Sequence, residues 1–390
     1  MTASEMPLRD WQEKALAKWK ENGRHGIAAV VTGGGKTFFA LHCLRDFNRS
    51  VPAATSVIVV PTDALLDQWV EEIVSFFQIS LRRVSVLTSR SRINLSRLHI
   101  GVINTVAQVA TKAGCPPVFL IVDECHKAAS PVFKQVFQIP IEATLGLSAT
   151  PERQYDSGFE DVLIPALGPV ICRYTYREAL RDKVIVPFSL HNVVFEFDAE
   201  EQKQYDRLTK SIHGAVAKCG IESPEAVALL LKRARMSNAS PSRVAIALRI
   251  VAKHRGQKIL IFHEDIAACE TIHKALSHFS VSSGIYHSGM SLTKRVETLL
   301  AYRKGEIHVL VSCRALDEGF NVPETQIGII AASTATHRQR VQRLGRVLRP
   351  AKGKEHATIY SIVAAPTEIR RLAQEAENLE DIVEVIWSKV

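Results

Sequence analysis

Val30-Val31-Thr32-Gly33-Gly34-Gly35-Lys36-Thr37 ends an apolar run that begins at Gly26, and it leads into FFALHCLRDF, a segment able to begin a helix. Strand, glycine-rich turn and helix in that order are the setting of a phosphate-binding loop. Glycines let successive backbone N–H groups turn toward one point, and the helix N-terminus adds its positive end. Gly35, Lys36 and Thr37 meet the spacing G-x-x-x-x-G-K-[ST], whereas Val30 stands where a glycine is usual. A plain glycine-rich turn does not account for a Lys-Thr pair at this offset. Thr32, Gly33, Gly34 and Gly35 are therefore read as the cradle, with Lys36 for the outer phosphates and Thr37 for a magnesium ion.

Working outward, the runs GIAAVV (26–31), SVIVV (56–60), VFLIVDE (118–124), KILIF (258–262) and HVLVS (308–312) are apolar throughout. That is the pattern of parallel strands covered on both faces. Between them Leu65, Leu66, Trp69, Val70, Ile73, Phe76 and Phe77 recur at three and four residues behind a Thr62 cap, which predicts a helix. Strand and helix alternate, so the fold class is α/β.

The 390 residues suffice for two domains, each with its own core. The alternation breaks over 199–253, which reads as a helical insertion opening with Asp198 and Glu201 in capping-box spacing. It resumes near Lys258. Domains are expected at 1–185 and 186–390, the insertion lying near the start of the second. Ile369, Leu372, Ala376, Leu379, Val383 and Ile386 predict a C-terminal helix over 367–390, packed on its own lobe or docking a protein partner.

Apolar residues make up 46% and charged residues 23%, which excludes a disordered or fibrous class. The first residues carry scattered charges and no apolar core, so neither signal peptide nor membrane anchor is read there; the expected compartment is cytoplasmic, on the nucleoid. Cysteines at 43, 115, 125, 172, 219, 269 and 313 show no zinc or disulfide spacing. A net charge of +9 and a pI near 9.2 favour a polyanionic partner.

A second constellation lies at VFLIVDECHKA, an apolar strand ending on Asp123 and Glu124. At the C-terminal edge of an open α/β sheet such carboxylates face the ligand crevice. One of them can hold a magnesium ion while its neighbour orients and deprotonates an attacking water. Asp123 takes the first role and Glu124 the second. An exposed acidic strand end is the competing reading, and the accompanying motifs decide between them.

TGGGKT, then D-E-C-H at Asp123–His126, then S-A-T at Ser148–Thr150, resembles the motor core of the superfamily 2 helicases, a DEAD/DEAH-box-like family. The resemblance implies two tandem RecA-like domains and an ATPase that moves along nucleic acid. It also implies that Arg9 and Gln12, in LRDWQ, recognise adenine, and that His126, Ser148 and Thr150 couple nucleotide to nucleic acid. VVPTDALLDQW and GVINTVAQ resemble the strand-gripping motifs, with Pro61, Thr62, Gln68, Asn104 and Thr105 as phosphate contacts. On the residues alone Thr62 and Thr105 could equally be helix caps.

In the second half, Gln342-Arg343-Leu344-Gly345-Arg346-Val347-Leu348-Arg349-Pro350 is similar to the family's Q-R-x-G-R-x-x-R. The resemblance makes Arg346 and Arg349 arginine fingers and places Gln342 near the attacking water. In SCRALDEGFNVPE, Asp317 and Gly319 are implied in the nucleotide site, and IFHED and YHSGMS offer His263 and His287 as strand contacts. ATP and Mg2+ are the implied cofactors.

Within the superfamily the resemblance is best to the XPB-like and phage-type DNA helicases, through SATPER and the insertion start EEQKQYDRL. Arg153-Gln154-Tyr155-Asp156 matches that branch's Arg-Glu-Asp element only in part. DNA, single-stranded, duplex or branched, is the implied substrate, with no membrane partner. An RNA helicase, or the motor subunit of a larger DNA-processing nuclease or repair assembly, is the alternative. Lys203, Arg207, Lys210, Lys232, Arg233 and Arg235 make the insertion either a thumb on the duplex or a solvated spacer.

Overall fold

Strands that are apolar on both faces must be covered on both faces, and the computed structural model of the chain does this twice. It describes residues 6–95, 97–112, 114–152, 157–221, 223–313, 322, 324–332, 345, 347–377, 379 and 382–390. Two units divide between Asp182 and Lys183.

The first unit contains α1 (Asp10–Glu21), β1 (Ile27–Val30), α2 (Lys36–Ser50), β2 (Thr55–Val60), α3 (Asp63–Phe77), β3 (Val84–Val86), β4 (Leu98–Val102) and α4 (Ile103–Ala110). It continues with β5 (Val118–Asp123), β6 (Ile141–Ser148), α5 (Ile164–Leu167), β7 (Val170–Tyr174) and α6 (Tyr176–Arg181). The strands form one parallel sheet in the order β3-β4-β2-β5-β6-β1-β7. Every residue of β1, β2 and β5 is buried, as their unbroken apolar runs require. On one face Val57, Val59, Leu120 and Val122 pack with Val106, Leu163 and Leu167 from the connecting helices.

The second unit contains β8 (Phe188–Val194), α7 (Ala199–Cys219), α8 (Pro224–Asn238), α9 (Pro241–Lys253), β9 (Ile259–His263), α10 (Ile266–His278) and β10 (Ser283–His287). It continues with α11 (Leu292–Lys304), β11 (Val309–Cys313), β12 (Ile327–Ile330), β13 (Ala357–Val363), α12 (Pro366–Glu377) and β14 (Glu384–Lys389). Its sheet is again parallel, in the order β10-β11-β9-β12-β13-β8-β14.

Two features of this unit differ from the sequence reading. Of the three helices over 199–253, α9 belongs to the sheet's own core, where Ile246, Ala247, Ile250 and Val251 join Ile259, Ile261 and Val309. Only α7 and α8 form the added pair, tied by Arg233, which donates to the Thr209 hydroxyl at 3.0 Å and lies over the Tyr205 ring. The predicted helix over 367–390 is also corrected: it stops at Glu377, and Glu384–Lys389 is a strand. Val385, Ile386 and Trp387 favour extended backbone, and the strand gains a full ladder along β8, from Glu384 opposite Ser189 to Lys389 opposite Val194. The three-and-four spacing that suggested a longer helix is kept through Leu372 and Ala376, which are buried on their own unit.

Arg243, at the start of α9, is fully buried. Its guanidinium donates to the carbonyls of Ser237 (2.8 Å), Ala331 (3.0 Å) and Ile362 (2.5 Å), to the Ser237 hydroxyl (3.1 Å) and to both oxygens of Glu368 (3.0 and 2.8 Å). One side chain thus fastens the end of α8, the sheet and α12 together. Among the described residues, which include all seven cysteines, no disulfide is formed. Among the described residues no helix is long and apolar enough to cross a membrane.

Candidate active site

β5, β6 and β1 are neighbours in the first sheet, so the loops leaving their C-terminal ends lie side by side. Register brings Asp123 opposite Leu147 and Ala29 opposite Ser148. Residues far apart in sequence thus converge on one sheet edge: Gly33–Lys36 after β1, Glu124–His126 after β5 and Ser148–Thr150 at the end of β6.

The glycines of the loop are required for two reasons. Gly33 (φ 85°) and Gly35 (φ 95°) adopt left-handed backbone, which L side chains resist. At Gly34 an added Cβ would lie 2.5 Å from Val30 Cγ1 and 3.0 Å from the Val31 carbonyl. Val30 is the wall on which Gly34 rests, and its carbonyl accepts from Lys36 Nζ at 3.2 Å. Gly35 caps α2 without a side chain, and the first turn holds no acidic residue. The leading N–H groups of α2 therefore lack an internal acceptor and suit an anion. Thr32 Oγ1 is buried beside them without a hydrogen-bond partner.

Arg9 and Gln12, expected at adenine, brace this loop from α1. Arg9 Nη1 donates to the Gly34 carbonyl at 3.0 Å, and Gln12 Nε2 to the Gly35 carbonyl at 3.1 Å. The pair is locked in turn by the Arg9 amide, which donates to Gln12 Oε1 at 2.9 Å. Trp11 between them stacks on Tyr174, with ring centroids 5.1 Å apart.

The two carboxylates are sorted by their surroundings. Asp123 is buried, with Oδ2 accepting from Trp69 Nε1 at 2.9 Å and Oδ1 from the Glu124 amide at 2.9 Å. Burial pushes its carboxyl above the usual range; the Lys36 charge and these two hydrogen bonds pull it back, and Glu72 adds to the upward push. A fixed, buried carboxylate of this kind suits a bound cation. Glu124 has left-handed backbone (φ 48°, ψ 50°), a conformation costing a non-glycine residue roughly 1–3 kcal/mol. Its Oε2 lies 3.5 Å from His126 Nδ1, which is 3.1 Å from the Ser148 hydroxyl; that hydroxyl accepts from the Thr150 amide at 3.1 Å. Glu124, His126, Ser148 and Thr150 form one connected path.

Further along the same edge, Pro61 and Thr62 follow β2, and Asn104 and Thr105 open α4 after β4. Thr62 caps α3, its hydroxyl accepting from the Leu65 amide at 3.5 Å, whereas α4 has no side-chain cap. Gln68 donates to Glu72 at 2.6 Å. Thr37 is the second residue of α2. Among the described residues no cluster of three or more His, Cys, Asp or Glu side chains could hold a metal on its own. A magnesium ion here would share its ligands with a nucleotide, and the bare cradle, Thr37 and Asp123 fit that arrangement.

In the second unit His263 is fully buried and accepts from the Asp265 amide at 3.0 Å, and His287 accepts from the Gly289 amide at 3.2 Å. Arg349 is half-buried, and its carbonyl accepts from Lys354 Nζ at 2.9 Å; Lys354 also reaches the Val347 carbonyl. Burial pulls the Lys354 ammonium down to about 8, against the charge of Glu324. Asp317, Gly319, Gln342 and Arg346, and the element Arg153–Asp156, lie outside the described residues. Sequence reasoning missed Trp69, Lys354 and Arg243 as polar partners. The available signal was that a buried indole or cation must find an acceptor.

A family model described as Type III restriction enzyme, res subunit, matches residues 5–153, and one described as Helicase conserved C-terminal domain matches residues 242–351. Between them they match more than half of the chain. The chain is 28% identical to the DNA 3'-5' translocase XPB2 of Sulfurisphaera tokodaii, across 94% of this chain and 84% of that one. It is 24% identical to the DNA 3'-5' helicase XPB of Mycobacterium tuberculosis, across 92% of this chain and 60% of that one. It spans only 44% of the 24% identical XPB subunit of general transcription and DNA repair factor IIH from Dictyostelium discoideum.

Among solved structures, the ATP-dependent Type ISP restriction-modification enzyme LlaBIII bound to DNA superposes with a TM-score of 0.69 at 14% identity, over 99% of this chain and 31% of that one. Dbp5 of S. cerevisiae bound to RNA and ADP BeF3 gives 0.61 at 16% identity, over 97% and 89%. These likenesses speak to the fold, two tandem RecA-like α/β domains. The chain belongs to superfamily 2 of the helicases and translocases. Within it, the three relatives named above carry XPB names.

Proposed function

We propose that this chain is an ATP-dependent DNA translocase or helicase. The observation that carries the reading is the cradle Gly33–Lys36, braced by Arg9 and Gln12, on the same sheet edge as a fixed Asp123 and a separately held Glu124. The backbone N–H groups of the cradle and Lys36 bind the phosphates of ATP, while Thr37 and Asp123 hold Mg2+. The ion, when bound, neutralises charge on the phosphate oxygens. Glu124 orients the attacking water and accepts its proton. Arg346 and Arg349 are assigned to the charge that develops on the γ phosphate and Gln342 to the attacking water, Arg346 and Gln342 lying outside the described residues. The path Glu124–His126–Ser148–Thr150 ties the hydrolytic base to the segment after β6, and Pro61, Thr62, Asn104 and Thr105 grip a nucleic-acid backbone along the same edge.

DNA as the substrate is supported by the relatives, named as DNA translocases and helicases, and by the basic charge. ATP turnover measured with single-stranded DNA, duplex, forks and RNA tests this. DNA is expected to stimulate turnover; equal stimulation by RNA would make the chain an RNA motor, and none by either would end the motor reading.

The α7–α8 pair is assigned as a thumb. Lys203, Arg207 and Lys210 are exposed on one face of α7, around a shallow groove that Ala199, Gln202 and Asp206 also line, while Arg233 is engaged with Thr209 and Tyr205. Replacing the three by alanine is expected to weaken DNA binding and to lower the slope of log K against log salt by about three, about one per lost phosphate contact. An unchanged slope in a normally folded variant would make the pair a spacer.

A further inference from the structure

We infer that Trp69 is a positioning residue that transmits load on the strand-gripping motif to Asp123. The inference rests on the proposed reading of the site, in which Asp123 holds Mg2+ and the start of α3 meets a nucleic-acid backbone.

Trp69 is fully buried, and a buried indole N–H must find an acceptor. It donates to Asp123 Oδ2 at 2.9 Å, while Oδ1 takes the Glu124 amide at 2.9 Å. The two bonds together fix the plane of the carboxylate. One of them comes from the next residue in the chain. The other comes from a different element, 54 residues away in sequence.

That element is α3, an uninterrupted helix of 15 residues whose first turn is capped by Thr62. Trp69 lies seven residues beyond Thr62, about two turns, so it sits near the same face of the helix. Glu72, three residues further on, acts on the same carboxylate by its charge and is held by Gln68 at 2.6 Å. One stiff rod therefore has Pro61 and Thr62 at one end and the Trp69 indole against Asp123 in its middle. A hydrogen bond of 2.9 Å is lost when stretched beyond about 3.5 Å, so an axial shift of well under one turn of α3 suffices to release the carboxylate. Phe at position 69 keeps an aromatic ring and removes the donor.

The test is the coupling between two ligands. Affinity of a fluorescent ATP analogue with Mg2+ is measured with and without single-stranded DNA for the native chain and for Trp69→Phe. The native chain is expected to change its nucleotide affinity about fivefold or more on binding DNA, and DNA affinity must change by the same factor with nucleotide. In Trp69→Phe that factor is expected to fall toward one. A variant that keeps the native factor overturns the inference while leaving the site reading intact. A native chain that binds no nucleotide overturns both.

Because Trp69→Phe also alters a core side chain, a second measurement uses the native sequence labelled with 5-fluorotryptophan. The fluorine resonance of Trp69, identified by elimination with Trp11→Phe, Trp19→Phe and Trp387→Phe, is expected to shift on adding DNA without nucleotide. A resonance that stays in place overturns the inference.

Discussion

Glu124→Gln is expected to lower the DNA-stimulated turnover of ATP by about 10²- to 10⁴-fold, the usual contribution of a positioned general base. The substitution keeps the size of the side chain and its hydrogen-bonding reach, and the left-handed backbone at this position is unchanged in kind. It removes the negative charge and with it the capacity to take a proton. Asp123 cannot substitute, because its carboxylate is held in place by Trp69 and the Glu124 amide and is assigned to Mg2+. The cradle and its braces from α1 are untouched, so binding of the ATP analogue and of DNA should stay within about threefold of the native chain. Steady-state turnover and equilibrium binding, measured on the same preparation, decide the matter. Turnover within about tenfold of the native value would remove Glu124 from the role of base.

Arg243→Met is expected to cost about 3–5 kcal/mol in urea unfolding, because removing one partner of a buried pair leaves the other charge uncompensated. Glu368 would keep only the amides of Ala364 (3.0 Å) and Ala365 (3.2 Å), while the carbonyls of Ser237, Ala331 and Ile362 would lose their donor. Methionine can fill most of the space against the Phe195 ring, on which the guanidinium now lies at 5.3 Å. The double replacement Arg243→Met with Glu368→Met is expected to recover part of the loss, since it removes the stranded charge as well. A single-variant loss below about 1 kcal/mol would show that the network orders α8, α9 and α12 without stabilising them.

The parts of this molecule that meet phosphate were legible in the sequence because few residue types can do that work. Gly33–Gly35, Lys36 and Thr37 announce themselves by side chain and spacing, and Asp123 with Glu124 does so at the end of an apolar strand. The deep strands were legible for a related reason, since burial on both faces leaves no polar choice. What stayed hidden depends on which distant segments meet. Trp69 looked like one more apolar residue of a helix face, and nothing local marks Asp123 as its acceptor. Arg243 looked like an ordinary helix cation until three carbonyls from α8 and the sheet, with Glu368, surrounded it. Val383 and Ile386 continued a helical spacing by coincidence, and the pairing of Glu384–Lys389 with β8 overrode it. The membership of α9 in the core is likewise a matter of packing, since its apolar face looks the same on an insertion and on a lobe.

The bracing of the cradle by α1 has an entropic consequence. A glycine-rich loop is the most costly kind of segment to order, and a ligand that had to order it would lose affinity for each residue fixed. Here the carbonyls of Gly34 and Gly35 are already held by Arg9 and Gln12 before any phosphate arrives. The ordering cost falls on the folding of the first unit, and the incoming nucleotide meets a receptor whose shape is set.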